Sequence, residues 1–124
     1  MTGSPMIILI AHGSRDEKWR QSLEELAERV QEGNPTGEVK LAFMQFTGPS
    51  LPEVVEEGWS RGVREFRLLP LFMATAGHVD KDIRPMVREL ARRYPEGRLE
   101  LLTPVGESRL FHELVKNIAN DDRS

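Results

Sequence analysis

The sequence predicts a single α/β domain with a four-stranded, mostly parallel sheet and helices on both faces of that sheet. Its 124 residues are the usual size of one domain. Strand-like and helix-like patterns alternate along the chain, and parallel neighbours need such crossover helices between them. The apolar run over residues 6–11 is too short for a normal helix and is typical of a strand covered on both faces. We therefore expect one domain over 1–124, frayed at 1–5 and 120–124.

The first helix is expected directly after this strand. Ser14 stands three residues before Glu17, which is the spacing of a capping box at a helix start. Apolar residues recur at helical spacing over 19–30, and the Gly-Asn-Pro sequence at 33–35 then ends the helix.

The strand–helix alternation continues to the end of the chain. Further strands are expected over 38–46, 65–73 and 99–103, and further helices over 49–61, 79–94 and 108–119. Pro70 removes one hydrogen-bond donor from the third strand and predicts a bulge or irregular bonding there. Pro85 predicts that the third helix starts or kinks near Arg84.

The composition excludes several classes of function. The chain has no cysteine, so any metal must be bound by His, Asp or Glu rather than by thiolate. The net charge is −3 and the basic residues are scattered among acids, which argues against nucleic acid as a partner. No apolar run is long enough to span a bilayer, and no charged leader precedes the first one, so we expect a cytoplasmic protein without a membrane partner.

Two histidines are expected at the same edge of the sheet. His12 follows the first strand directly, and His78 closes the loop after the third strand. In the common strand order 2-1-3-4 these two strands are neighbours, roughly 5 Å apart. The imidazoles could then share one metal ion or act on one substrate. Either histidine alone could be an ordinary loop residue, but Gly13 and Gly77 beside them would let the backbone approach a ligand closely.

Other candidates have simpler interpretations. Ser14 is explained by helix capping, since no Gly-x-Ser-x-Gly elbow surrounds it. His112 lies in the last helix pattern and is expected at the surface or in packing. The loop over 72–77 is small and apolar enough to line a pocket for a flat ligand, although it could also be a plain connection. No nucleotide-binding glycine motif is found.

Four motifs, in this order, suggest a family. They are Ile10-Ala11-His12-Gly13-Ser14-Arg15, Leu69-Pro70-Leu71-Phe72, Gly77-His78-Val79 and Asp82-Ile83-Arg84-Pro85. The chain resembles the short, single-domain sirohydrochlorin chelatases of the CbiX type over nearly its whole length. The resemblance implies a chelatase-like fold with flavodoxin-like winding.

The resemblance also implies an activity. These enzymes insert a divalent metal, Co²⁺ or Fe²⁺ with Ni²⁺ as a further candidate, into a reduced tetrapyrrole for cobalamin or sirohaem, without an organic cofactor. By motif, His12 would be metal ligand and proton acceptor, and His78 the second metal ligand. Substrate-binding positions would be Gly48, Phe72, Met73, Ala74, Thr75, Ala76 and Gly77. Substrate carboxylates could be bound by Arg15, Lys81 and Arg84. The short form further implies a homodimer.

One departure from the family pattern affects the functional interpretation. Family members commonly carry glutamates before Pro49-Ser50, whereas this chain has Gln45 and Gly48 there. Another group could replace the acids, or the substrate or metal could differ. The chain could instead be a metal or tetrapyrrole carrier that performs no insertion, and a sensor or interaction module without metal is the third alternative.

Overall fold

The computed structural model describes residues 4–73 and 79–121, without the side chains of residues 79 and 80. The strands are β1 (Met6–Ala11), β2 (Val39–Phe43), β3 (Glu65–Pro70) and β4 (Arg98–Leu101). The helices are α1 (Glu17–Glu32), α2 (Leu51–Ser60), α3 (Arg84–Arg93) and α4 (Arg109–Ala119). A π-helical turn, Val79–Ile83, precedes α3, and a 3-10 turn, Val105–Glu107, precedes α4. Within these ranges no helix is long and apolar enough to cross a membrane.

The strands form one parallel sheet in the order β2-β1-β3-β4. This confirms the predicted order 2-1-3-4 and makes β1 and β3 neighbours. The carboxyl ends of β1, β2 and β3 therefore lie together at one edge of the sheet, where open α/β sheets bind their ligands.

Helices cover both faces of the sheet, as predicted. One face packs against α2 and α3 and holds the main core. Its buried residues are Met6, Ile8, Ile10, Ala42, Leu51, Val54, Val55, Phe66, Leu68, Phe72, Ile83, Leu90 and Tyr94. On the other face α1 packs against β2, with the rings of Trp19 and Phe43 at 5.8 Å between centroids. Side chains along β1 alternate between these two layers, because successive strand residues point to opposite faces.

The capping box predicted at Ser14 and Glu17 is wrong. Asp16 is the residue that caps α1, and its Oδ1 accepts a hydrogen bond from the N–H of Lys18 at 2.9 Å. The Ser14 Oγ instead accepts from the N–H of Asp16 at 3.0 Å. Ser14 therefore stabilises the turn before the helix.

The bulge or irregular bonding predicted at Pro70 is also wrong. The register between β1 and β3 runs unbroken from Met6↔Phe66 to Ile10↔Pro70. The N–H of Leu71 donates to Ile10 O at 2.7 Å, so the nitrogen of Pro70 faces β4. Pairing between β3 and β4 ends at Leu68↔Leu101, before a donor from Pro70 would be needed.

Several predicted boundaries differ from the observed ones. The strands expected over 38–46 and 65–73 end at Phe43 and Pro70, and the residues that follow form loops. The helix expected over 79–94 is regular only from Arg84. This start agrees with the prediction from Pro85, which lies in the first turn, where its missing N–H is tolerated.

Candidate functional site

His12 lies at the carboxyl end of β1, beside the residues that follow β3. Its imidazole packs against the ring of Phe72, with the centroids 4.1 Å apart and the planes tilted by 39°. Phe72 is 6% exposed, whereas His12 belongs to the exposed residues. One side of the imidazole therefore packs against a buried core residue, and the rest of the side chain is open to solvent.

The backbone of His12 is hydrogen-bonded to the loop that follows β2. The carbonyl oxygen of His12 accepts hydrogen bonds from the N–H groups of Gln45 at 2.9 Å and Met44 at 3.1 Å. Gly13 has φ +111°, and a Cβ at this position would lie 1.7 Å from Gln45 O. Only glycine fits both this conformation and this distance. Gly13 thus allows the loops after β1 and β2 to touch.

These loops and the start of α3 enclose a cavity of about 400 Å³. It is lined by His12, Met44, Gln45, Phe72, Lys81, Asp82, Ile83 and Met86. An imidazole, an amide, an ammonium group and a carboxylate thus share the lining with apolar side chains. Such a lining suits a ligand that is apolar over much of its surface and carries a few polar groups.

Part of the predicted site lies outside the described residues. His78, Ala74, Thr75, Ala76 and Gly77 fall there, so the shared site of His12 and His78 stays a prediction. Within 4–73 and 79–121, no group of three His, Asp or Glu residues is close enough together to hold a metal ion.

Two predicted substrate-binding residues do not line the cavity. Gly48 lies in the loop before α2 and precedes a cis peptide bond to Pro49. Met73 is 65% exposed, and its backbone packs against Gly106, where a Cβ would lie 2.2 Å from Met73 Cα. The N–H of Gly106 donates to Phe72 O at 2.9 Å, so this glycine supports the loop after β3. A role of Gly48 or Met73 in binding substrate stays a prediction.

The three predicted partners for substrate carboxylates are in different places. Lys81 lines the cavity itself, and Arg84 is the first residue of α3. The guanidinium of Arg15 lies 5.0 Å from the ring centroid of Phe46, in a separate depression of about 260 Å³. Phe46 is 58% exposed and has φ +70°, in a turn closed by the N–H of Thr47 donating to Gln45 O at 2.9 Å.

Ser14 and His112 both have structural partners, although Ser14 does not cap α1 as predicted. Ser14 is bonded to the Asp16 N–H and does not line the 400 Å³ cavity. The Nε2 of His112 lies 2.9 Å from Gly106 O and ties α4 to the turn before it.

Four lining residues were not predicted from the sequence. They are Met44, Asp82, Ile83 and Met86. Ile83 and Met86 are three residues apart at the start of α3, a spacing that places side chains on one helix face and could have revealed them. Asp82 is the one carboxylate among the described lining residues, and it could have been found as the first residue of the Asp-Ile-Arg-Pro motif.

Comparison with known proteins identifies relatives of the chain. The family model CbiX matches residues 6–122. A sirohydrochlorin cobaltochelatase of Methanocaldococcus jannaschii is 32% identical over 77 residues, which are 62% of this chain and 54% of that protein. A sirohydrochlorin ferrochelatase of Bacillus subtilis is 26% identical over 112 residues, 90% of this chain and 42% of that protein. The chain thus spans about half the length of each of these relatives.

A solved structure confirms the fold. The crystal structure of a CbiX protein from Marinobacter aquaeolei VT8 superposes with a TM-score of 0.83 at 30% identity. The match covers 98% of this chain and 100% of the other. The sheet, its strand order and the position of its carboxyl edge therefore belong to a known architecture.

Proposed function

Since the chain belongs to the CbiX family, we propose that it inserts a divalent metal ion into sirohydrochlorin or a closely similar reduced tetrapyrrole. The observation that supports this most is the exposed imidazole of His12 at the rim of a partly apolar cavity, fixed by Phe72. Co²⁺ is the proposed metal and Fe²⁺ the second candidate, since the two relatives carry these metals in their names. Neither of these relatives is named for Ni²⁺, and Ni²⁺ is therefore not part of the proposal.

The chemistry of metallation suits a histidine in this position. Two pyrrole N–H protons must leave the macrocycle as the metal enters. A neutral imidazole accepts protons near pH 7, and it also binds Co²⁺ and Fe²⁺. We therefore propose His12 as proton acceptor and metal ligand, and His78 as the second ligand.

The proposed substrate position follows from the lining of the cavity. The macrocycle would lie against Phe72 and the backbone over 72–77. Lys81, which lines the cavity, would bind a substrate carboxylate by a charge-assisted hydrogen bond. Whether the product feeds cobalamin or sirohaem depends on the metal.

The alternative function is a metal or tetrapyrrole carrier with the same fold. Gln45 supports it, because this residue lines the cavity at a position where the family commonly has glutamate. A neutral amide cannot take up a proton as a carboxylate can. Binding without turnover is what this alternative predicts.

An anaerobic absorbance assay with sirohydrochlorin and Co²⁺ separates the two functions. The wild type should metallate the macrocycle faster than buffer alone, and His12→Asn should lower kcat about 100-fold because asparagine has no basic nitrogen. His112→Asn removes an imidazole from α4, outside the cavity, and should keep the wild-type rate. No acceleration with a macrocycle spectrum shifted by binding would favour the carrier. No acceleration and no spectral shift would reject both functions.

We also propose a second copy of the chain as its partner, because the resemblance to the short, single-domain chelatases implies a homodimer. The cytoplasm stays the location that the sequence predicts. Size-exclusion chromatography with light scattering measures the mass of the assembly directly.

A further inference from the structure

The cavity beside His12 contains one carboxylate, that of Asp82. Asp82 is the only acid among the described lining residues, and it is exposed, so a bound ligand can reach its charge. Gln45 lines the same cavity at a position where the family commonly has glutamate, and its amide is neutral. The cavity therefore keeps a negative charge although Gln45 provides none.

The position of Asp82 is fixed by the residue that follows it. Asp82 and Ile83 are the last two residues of the π-helical turn Val79–Ile83, and such turns are frequent at functional sites. Ile83 is 0% exposed and belongs to the core that also contains Phe72. This buried neighbour restrains the backbone of Asp82 and limits where its exposed side chain can lie.

Asp82 and Gln45 reach the cavity from different strands. Gln45 is in the loop after β2, whereas Asp82 belongs to the segment that leads from β3 into α3. His12 follows β1, which lies between β2 and β3 in the sheet. A carboxylate can thus be supplied to a ligand beside His12 by either segment.

The chemistry of metallation requires more than one proton acceptor. Two pyrrole N–H protons leave the macrocycle as one divalent ion enters, and each leaves its electron pair on nitrogen for the bond to the metal. A neutral imidazole can hold only one of these protons. A second basic group in the cavity lets the other proton leave before the imidazole has returned the first one to solvent.

We infer that Asp82 accepts the second pyrrole proton, in place of the glutamate that is common in the family. The proton moves from a pyrrole nitrogen to a carboxylate oxygen of Asp82, and the electron pair left on nitrogen bonds to the metal ion. Because Asp82 is exposed, its carboxyl group then passes the proton to water. The step changes no oxidation state. This role rests on the proposed metallation and adds a residue to it.

The charge of the neighbouring residue agrees with this role. Lys81 and Asp82 both line the cavity. The carboxylates of the substrate are attracted by the ammonium group of Lys81 and repelled by Asp82. Successive residues of a helical turn point in different directions, so the two side chains can contact different parts of one macrocycle. Lys81 then faces the carboxylates, and Asp82 faces the nitrogens and the incoming cation.

Steady-state metallation of sirohydrochlorin with Co²⁺ tests this role. Asp82→Asn keeps the shape of the side chain but removes the base, and should lower kcat about 30-fold while changing KM less than about threefold. Asp82→Glu retains a carboxylate and should keep kcat within about fivefold of the wild type. Glu89→Gln removes a carboxylate that pairs with Arg92 on α3, outside the cavity, and should keep the wild-type rate.

Two further measurements distinguish a proton acceptor from a binding or structural residue. Lys81→Met should show the opposite kinetic effect, a KM raised about tenfold with kcat changed less than about threefold. Asp82→Asn should unfold in urea like the wild type, because the residue is exposed. If Asp82→Asn does not fold, then Asp82→Ser provides a second neutral variant. Equal losses of kcat in Asp82→Glu and the neutral variant would overturn the inference.

Gln45→Glu measures whether positions 45 and 82 serve the same step. In the Asp82→Asn background it should raise kcat by a larger factor than in the wild type, because the new carboxylate is then the only one among the described lining residues. An equal factor in both backgrounds would mean that the two positions serve different steps, and Asp82 would not take the place of the glutamate.

The outcome can be separated from the proposed function. If the wild type accelerates metallation and His12→Asn is impaired, but Asp82→Asn keeps the wild-type kcat, then the role of Asp82 is overturned and the function is intact. A wild type that does not accelerate metallation over buffer would reject the function and the role of Asp82 together.

Discussion

The imidazole of His12 and the ring of Phe72 are in contact across two strands, with 4.1 Å between their centroids. His12 follows β1 and Phe72 follows β3, and these strands are neighbours in the sheet. The orientation of the proposed proton acceptor therefore depends on a residue about sixty positions away in the chain.

Phe72→Leu should impair metallation more than its effect on stability explains. Leucine keeps most of the buried apolar volume but loses the ring contact with His12, so we expect kcat to fall about tenfold and stability by about 1.5 kcal/mol. Phe66→Leu is the control, because Phe66 is 0% exposed and lies in the core without lining the cavity. It should lose similar stability in urea and keep its kcat. Equal losses of kcat in the two variants would show that Phe72 acts through stability alone.

Gly13→Ala should destabilise the protein strongly. The new Cβ would lie 1.7 Å from Gln45 O, and φ at this residue is +111°. The loops after β1 and β2 would have to separate, so we expect a loss of about 3 kcal/mol or more in urea unfolding.

Gly62→Ala separates the two causes of that loss. Gly62 also has a positive φ, +99°, but a Cβ there would meet nothing within 4 Å. Only the backbone penalty applies, and the expected loss is about 1 to 2 kcal/mol. If Gly13→Ala costs no more than Gly62→Ala, then the contact with Gln45 adjusts easily and is not what requires glycine.

The position of His12 was predictable because it depends on local patterns. The apolar run over 6–11 fixes β1, and the alternation of strands and helices fixes a parallel sheet whose carboxyl ends share one edge. The strand order 2-1-3-4 then places Phe72 beside His12.

Strand ends were not predictable in the same way. Met44 and Phe72 are apolar, but they line the cavity beyond the ends of β2 and β3. The hydrophobic pattern of a sequence does not distinguish an apolar residue within a strand from an apolar residue that lines a ligand cavity. The prediction of the residue that caps α1 failed for a related reason. Ser14 and Asp16 are both residue types that commonly cap helices, and only the conformation of the turn between them determines that Asp16 is the cap.

Gln45→Glu should raise the rate of metallation, whereas Gly48→Glu should not. Both positions lack the glutamate common in the family, but only Gln45 lines the cavity with His12. A carboxylate there can accept a proton or approach the metal, and we expect kcat to rise about tenfold. Gly48→Glu adds the same charge in the same loop, away from the cavity. Steady-state rates at several Co²⁺ concentrations measure both variants, and an equal rise would indicate a general effect of charge.

The capping box of α2 should contribute stability that is lost in acid. Glu53 Oε1 accepts a hydrogen bond from the Ser50 N–H at 2.8 Å, and the Glu53 N–H donates to Ser50 Oγ at 3.3 Å. The hydrogen bond from the Ser50 backbone, followed by the Ser50 side chain, lowers the pKa of Glu53 below its usual value. Because the folded pKa is the lower one, this stabilisation is present above the unfolded pKa and disappears as pH falls through the folded pKa.

Urea unfolding of Glu53→Gln and Ser50→Ala measures this contribution. Ser50→Ala should cost about 1 kcal/mol at neutral pH. Glu53→Gln should be less stable than the wild type at neutral pH, and the difference should shrink as the pH falls through the lowered pKa of the Glu53 carboxyl. Glu56→Gln, on the same helix but outside the capping box, should keep the wild-type stability at neutral pH. A stability difference between wild type and Glu53→Gln that is constant with pH would mean that the ionised carboxylate does not provide the capping.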